Sequence, residues 1–207
     1  MKSEGFWDKM SSNYDRQVQK YQQTYADTIE RTKKYLKRDD IVLDFACGTG
    51  ITAIQISGFV RKIYAIDISQ RMIDIAEEKA EKNEIGNLQL YKTDLFNAEF
   101  EQNSFDVVLA FNVLYFLKNS PENISRIYEL LKPGGLFISA TDCLGEKTSL
   151  LNRIKHFLSR IGILPFMRMY SIPELEDLVS DVDFKIIETA SLYDNPLNYF
   201  IVARKNA

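Results

Sequence analysis

From Ile41 onward, short apolar runs alternate with longer segments of helical period, and this alternation constrains the fold more than any other feature of the chain. IVLDFA, KIYAID, LQLYKTD, FDVVLAF and GLFISA are strand-length runs rich in β-branched and aromatic residues, as strands buried on both faces are. Between them lie segments near 51–60, 70–82 and 121–131, and in the second Met72, Ile73, Ala76 and Ala80 share one helical face. The pattern predicts an α/β fold in which a parallel sheet is wrapped by helices. Pro121 suits a first helical turn, and Pro133-Gly134-Gly135 is expected to end that helix.

The flanks obey other periods. In residues 1–38, Phe6, Trp7, Met10 and Tyr14, then Val18, Tyr21, Tyr25, Ile29 and Leu36, recur at three- and four-residue steps, which predicts two amphipathic helices. After the strand at 135–141 comes an irregular stretch to Tyr170, then a helix from about Pro173 to Ser180 and two strands, FKIIETASL and LNYFIVARK. No Pro/Gly/Ser-rich linker divides the chain, so its 207 residues are read as one domain. Within it, 1–38 form N-terminal helices, 39–142 a cofactor-binding core, 143–170 a lid-like insertion, and 171–207 a helix and strand pair.

Composition excludes several classes. With 45% hydrophobic and 27% charged residues, neither disorder nor a fibrous architecture is expected. A net charge of -3 with interleaved signs provides no footprint for a phosphate backbone, which argues against a nucleic-acid partner. The start, MKSEGFWDKM, has no apolar signal core, and Val107 to Leu117 falls short of the ~18 residues of a spanning helix, so a cytoplasmic location is expected. Cys47 and Cys143 form no metal-ligand spacing and are read as reduced.

The chemistry concentrates in Val42 to Gly50, VLDFACGTG, where an acidic residue near a strand end precedes small residues at a turn into a helix. Gly48 and Gly50 lack a Cβ, so the turn can take positive φ and a ligand can approach the main chain. Asp67 ends the next strand, where a carboxylate can accept hydrogen bonds from both hydroxyls of a ribose. Together these features signal an adenosine-containing cofactor. Spacing alone leaves the choice open, since Gly48-Thr49-Gly50-Ile51-Thr52-Ala53 also fits a dinucleotide fingerprint, and the glycines could simply make a tight turn.

Taken in order, VLDFACGTG, AID ending at Asp67, TDLF at 93–96, FDVVLAFNVLYFL and LKPGGLF resemble the successive motifs of class I S-adenosylmethionine-dependent methyltransferases of the small-molecule type. The resemblance implies a three-layer Rossmann-like sandwich with a seven-stranded, mostly parallel sheet whose last strand is reversed, and an N-terminal helical lid. It implies S-adenosyl-L-methionine as cofactor, S-adenosyl-L-homocysteine as product, and in-line methyl transfer to a small acceptor; the apolar residues of the 143–170 insertion suit an apolar or aromatic one. Carried over by position, it sets Asp44, Ala46, Gly48 and Gly50 around the methionine and ribose parts, Asp67 on the ribose hydroxyls, and Ile68 against adenine. Asp94 would bond the adenine amino group, Leu95 and Met72 would pack nearby, and Phe111 and Asn112 would border the transferable methyl. Tyr14-Asp15 resembles a pair found in N-terminal lids of similar proteins. Ala46 and Cys47 stand where glycine is commoner, which makes Cys47 a candidate for cofactor contact or thiol reactivity.

An activated methyl needs in-line attack rather than a metal or a covalent enzyme intermediate, and near-attack positioning can contribute about 7 to 11 kcal/mol. No catalytic residue is assigned. Asn112 and Tyr14, with Tyr115, are candidates to orient an acceptor, and His156, the only histidine, is a candidate base. Leu150 to Ile161, LLNRIKHFLSRI, carries Leu151, Ile154, Phe157, Leu158 and Ile161 on one face among basic residues. Three readings stay open for it: a lid over the acceptor pocket, a helix resting on a membrane surface, or a cap on the core. The N-terminal aromatic residues could equally form a dimer contact or a mobile lid, so monomer and homodimer both stand.

Two other functions compete. Tyr128 and Lys132 reproduce the Tyr-x-x-x-Lys spacing of short-chain dehydrogenases, although close to the glycine loop for an NAD(P)-dependent oxidoreductase. A non-catalytic cofactor-binding module would keep the loop and lack turnover. Without an Asn- or Asp-Pro-Pro-aromatic motif after the fourth strand, where Phe111-Asn112-Val113-Leu114-Tyr115 stands, base methylation is not expected.

Overall fold

The computed structural model describes residues 3–146, 150–194 and 197–206. Helices α1 (Ser3–Gln19) and α2 (Gln22–Lys33) precede β1 (Ile41–Phe45), α3 (Ile51–Ile56), β2 (Lys62–Asp67), α4 (Gln70–Lys82) and β3 (Leu88–Lys92). Then follow β4 (Phe105–Phe111), α5 (Ser120–Leu130), β5 (Leu131–Asp142), α6 (Leu150–Arg160), α7 (Ile172–Ser180), β6 (Phe184–Asp194) and β7 (Leu197–Lys205). The seven strands form one sheet in the order β3-β2-β1-β4-β5-β7-β6. The first five pair in parallel, and β7 runs antiparallel to both β5 and β6. The expected seven-stranded, mostly parallel α/β sandwich is therefore present.

Alternation along the central strands builds a core on each face. Val42, Val107 and Leu109 point to one side and pack with Ile29 of α2 and Ala53 and Ile56 of α3. Leu43, Phe45, Val108 and Ala110 point to the other and pack with Ile124 and Ile127 of α5 and Leu175 and Val179 of α7. Because both faces are covered, β1 and β4 read as near-continuous apolar runs. Local signals set the helix starts: Ser69 caps α4 by accepting the Met72 N–H at 3.2 Å, and Ser171 and Glu174 form a reciprocal capping box on α7.

One turn departs from expectation. The helix near 121–131 stops at Leu130, three residues before Pro133, because Leu131 already pairs with Phe105 of β4. Pro133-Gly134-Gly135 instead forms an irregularity inside β5, where the register against β4 shifts between Phe105 and Val107. A Cβ on Gly135 would sit 2.9 Å from the Lys132 carbonyl and 3.0 Å from that of Asp106, so backbone crowding demands glycine there.

Candidate functional site

Strand order reverses between β1 and β4, each of which leads to its next strand in the opposite direction across the sheet. In an open α/β sheet this is where the first loops splay apart and leave a crevice beyond the carboxyl ends of the strands. A cavity of about 290 Å³ lies there, walled by the ends of β1, β2 and β4, by the segment after β3, and by α1.

The turn leaving β1 is built on left-handed residues: Ala46 at φ 59°, Gly48 at 55° and Gly50 at 74°. Gly48 donates its N–H to the Asp67 Oδ2 at 3.0 Å, and the other oxygen of Asp67 accepts the Ser69 N–H at 2.9 Å. A carboxylate oxygen has about two lone pairs, so Asp67 still has acceptor capacity toward the cavity it lines. Burial raises its pKa, and the hydrogen bonds from Ser69, Gly48 and Ile68 oppose that rise. Asp44, one strand away, is fully enclosed. Burial first and the neighbouring Asp67 second push its pKa up to about 7, and its Oδ2 has no hydrogen-bond partner.

Helix α1 closes one side of the cavity with Ser3, Trp7 and Tyr14. Its acidic side chains hold the turns beneath it. Asp8 accepts the Ser69 hydroxyl at 2.7 Å, Asp15 accepts the Thr49 hydroxyl at 2.6 Å and pairs with Lys79, and Glu4 pairs with Lys92 at 2.9 Å. Trp7 stands edge-on against Phe116, with ring centroids 5.0 Å apart.

Behind the opposite wall runs a buried polar chain. Asn112, at φ 54°, donates to the Tyr25 hydroxyl at 3.4 Å, and its Oδ1 accepts from Asn198 at 3.0 Å. Asn198 also donates to Asp142 at 2.8 Å, and Tyr25 bonds onward to Tyr14. Burial raises the pKa values of Tyr14, Tyr25 and Tyr115, so these phenols stay protonated and neutral at physiological pH. They can donate hydrogen bonds, but none is poised as a base.

The structure brings together most of the residues singled out from sequence. Ala46, Gly48, Asp67, Ile68, Met72, Asp94, Leu95, Phe111, Asn112 and Tyr14 all line the cavity. Asp94 is already occupied locally, its Oδ1 accepting the Phe96 and Asn97 N–H groups and its Oδ2 the Asn97 side chain. Asp44, Cys47, Gly50 and His156 are not among the lining residues. Gly50 stands one turn away at the start of α3. Cys47 packs against the core, and burial holds its thiol well above its ordinary pKa, which removes the expectation of a reactive thiolate. His156 lies in a separate shallow cleft with Arg153, Phe157, Arg160 and Met169, its Nδ1 3.1 Å from the Met167 carbonyl oxygen, so it is not placed as a base for the main cavity. Tyr128 and Lys132 also lie away from it: Lys132 pairs with Asp106, and Tyr128 packs edge-on against Phe184.

Sequence reasoning missed Trp7, Phe116, Lys118, Asn123 and Phe166 in the wall, and Asp142 and Asn198 behind it. Asp142 and Asn198 are 56 residues apart and meet only because β7 returns beside β5. The described residues hold no cluster of three or more potential metal ligands, and no described helix is long and apolar enough to cross a membrane.

A cavity at the switch point of a mixed seven-stranded sheet, with a glycine turn bonded to an acidic strand end, defines an α/β protein of the Rossmann-like class. Residues 14–189 match the family described as "Methyltransferase domain", and the chain belongs to that family. It is 29% identical over 185 residues to sterol 24-C-methyltransferase of Kluyveromyces lactis, covering 84% of this chain and 49% of that protein. It is 29% identical over 123 residues to demethylmenaquinone methyltransferase of Oceanobacillus iheyensis, covering 56% and 50%. The chain thus spans about half the length of these curated relatives. Among solved structures, phosphoethanolamine N-methyltransferase 2 of Haemonchus contortus, in complex with phosphomonomethylethanolamine and S-adenosylhomocysteine, superposes with a TM-score of 0.73. That match has 21% identity and covers 88% of this chain and 53% of the other, and it bears on the fold alone.

Proposed function

We propose that this chain is an S-adenosyl-L-methionine-dependent methyltransferase acting on a small, largely apolar acceptor. The observation that carries the reading is convergence: the ends of β1, β2 and β4 and the turn after β3 each contribute to one cavity residues that the resemblance assigns to a single cofactor, Asp44, Cys47 and Gly50 excepted. Membership of the methyltransferase domain family supports the same reading.

The residues fit such a group. Asp67 retains acceptor capacity for two ribose hydroxyls, and the turn beside it is open where Gly48 lacks a Cβ; one added there would lie 3.4 Å from the Tyr14 ring. Ile66, Ile68, Met72 and Leu95 offer apolar walls to a flat heterocycle. The unpartnered Oδ2 of Asp44 leaves a buried polar atom behind the turn, and its carboxyl, with a pKa of about 7, would ionise more readily beside the cationic methionine part that the resemblance assigns to this turn. When bound, the cofactor supplies a methyl activated by a permanently cationic sulfonium.

The chain's own part is to position and to exclude water. Trp7, Phe111, Phe116, Leu117 and Phe166 give the acceptor end an apolar lining, which suits an aromatic or lipid-like molecule and desolvates a nucleophilic atom. Asn112, held by Asn198 and Tyr25, presents a fixed amide to that end and can orient a hydroxyl or amine. No catalytic base is required if the acceptor's attacking atom is already a nucleophile, and positioning can supply much of the rate.

Calorimetric titration with S-adenosylhomocysteine, beside NADH, in the wild type and in Asp67→Ala, tests the reading. Binding of the homocysteine product that weakens at least about tenfold in the variant is expected, from loss of a charged hydrogen-bond acceptor. Tighter binding of NADH would return the oxidoreductase alternative. Cofactor binding without methyl consumption across a panel of apolar acceptors would favour a non-catalytic module.

A further inference from the structure

Helix α6 is turned inside out relative to an ordinary surface helix. Leu150, Ile154, Phe157 and Ile161, spaced by four, three and four residues, form one stripe, and such a stripe normally lies against a core. Here all four face solvent, Leu150 with 74% and Phe157 with 60% of its surface exposed, and Ile163 extends the stripe past the helix end at 55%. On the opposite side of the helix the buried residue is Ser159. The side chain of Leu151 lies outside the described residues.

The segment that carries this stripe has charges of one sign. No acidic residue occurs between Glu146 and Glu174, whereas Lys147, Arg153, Lys155, Arg160 and Arg168 do, in a chain whose net charge is -3. Arg153 and Arg160 flank the apolar stripe and, with His156, Phe157 and Met169, line the shallow cleft beside it. The ion pairs among the described residues engage Arg31, Lys33, Lys79, Lys92, Arg126 and Lys132, so neither α6 arginine is spent on a carboxylate there.

We propose that α6 docks this protein on the surface of an anionic phospholipid bilayer. The stripe from Leu150 to Ile161 enters the boundary between headgroups and acyl chains, and Arg153 and Arg160 in the cleft hold lipid phosphates. An apolar face with adjacent cations is the composition that binds such an interface. A second copy of the chain fits less well: a two-fold contact through the stripe would set Arg153 and Arg160 against their own images and bring like charges together. Phe166, three residues beyond Ile163, lines the main cavity, so docking holds the acceptor end of that cavity near the bilayer. That last consequence rests on the methyltransferase reading, but docking does not.

The test uses the full chain without cofactor, sedimented with vesicles of phosphatidylcholine alone or mixed with phosphatidylglycerol. Partition into the mixed vesicles, weakened by added salt, is expected, with little into the neutral ones. Arg153→Gln and Arg160→Gln should each lower the partition about fivefold. Phe157→Asp should abolish it, while thermal unfolding of all three variants stays near that of the wild type because the side chains are exposed. Equal partition into neutral vesicles, no partition, or cleft binding of inorganic phosphate without vesicle binding would overturn the proposal. So would a dimer that forms without vesicles and dissolves in Phe157→Asp, which would assign the face to a second copy. Asp67→Ala should bind vesicles as the wild type does, which separates this test from that of the cofactor site.

Discussion

The Asp67 carboxylate accepts the Gly48 N–H at 3.0 Å and so ties the end of β2 to the glycine turn that follows β1. The two residues lie 19 apart in sequence, and parallel pairing of β1 with β2 places Phe45 beside Ile66, which brings the two strand ends to the same edge. One bond thus shapes the turn and orients the carboxylate toward the cavity.

Asp67→Asn should weaken both functions of that bond. The amide has one acceptor oxygen, so either Gly48 or Ser69 is left with an unpaired buried N–H. A loss of about 1 to 3 kcal/mol in stability by denaturant unfolding is expected, together with at least about tenfold weaker binding of S-adenosylhomocysteine by calorimetry. Unchanged binding would move the ribose contact elsewhere.

Ala46→Gly should be neutral to stabilising. Ala46 stands at φ 59°, where an L side chain costs about 1 to 2 kcal/mol. Glycine removes that strain but gains about 0.4 to 1 kcal/mol of freedom in the unfolded chain, so a net gain of up to about 1.5 kcal/mol is expected. The reverse change at the neighbouring left-handed position, Gly48→Ala, should destabilise by a similar amount. Opposite signs in thermal unfolding would contradict this reading of the turn.

Asp44 makes stability depend on pH. Its folded pKa of about 7 lies above the ordinary carboxylate value of 3.8, so the folded protein retains a proton that the unfolded chain releases. That contribution is fully present below about pH 4 and is lost as pH rises through about 7, and it amounts to about 4 kcal/mol at most. Asp40, Asp67 and Asp142, also raised by burial, act in the same direction. Between about pH 5 and pH 8, Asp44→Asn should show a clearly shallower fall in unfolding free energy than the wild type. Parallel curves would assign the slope to the other three carboxylates.

Phe166→Ala should separate acceptor from cofactor. Its ring lines the cavity from the segment after α6, whereas Asp67 and Gly48 line it from the strand ends. Removing it is expected to raise the KM for an apolar acceptor about tenfold, as loss of a buried aromatic contact does, with the affinity for S-adenosylhomocysteine changed less than about twofold. A matching loss in both would place Phe166 against the cofactor.

Much of the architecture was legible in the chain because it depends on local rules. The apolar runs marked β1, β2, β4 and β5 because parallel strands buried on both faces carry few polar residues, whereas β3, at the sheet edge, was marked by its alternation. Helical periodicity placed α4, and the run from Pro173 to Ser180 placed α7, within a residue or so of their observed bounds. The cavity-lining residues near strand ends were legible for a related reason: a carboxyl-terminal edge and its following turn occupy adjacent positions in sequence. Pro133-Gly134-Gly135 misled because a helix stop and a strand bulge use the same residues, and the pairing of Leu131 with Phe105 chooses between them.

By itself, then, the sequence determined the strand–helix alternation, the left-handed turn at Gly48 and Gly50, and the acidic end of β2, all features set by neighbours along the chain. Only the tertiary structure decided that Asp142 and Asn198 stand behind Asn112, that Trp7 and Phe166 complete the cavity, that Cys47 is packed and His156 is remote, and that α6 turns its apolar face outward. The physical reason is that periodicity tells which side of a helix is apolar, but the direction in which that side points depends on what the rest of the chain leaves for it to pack against.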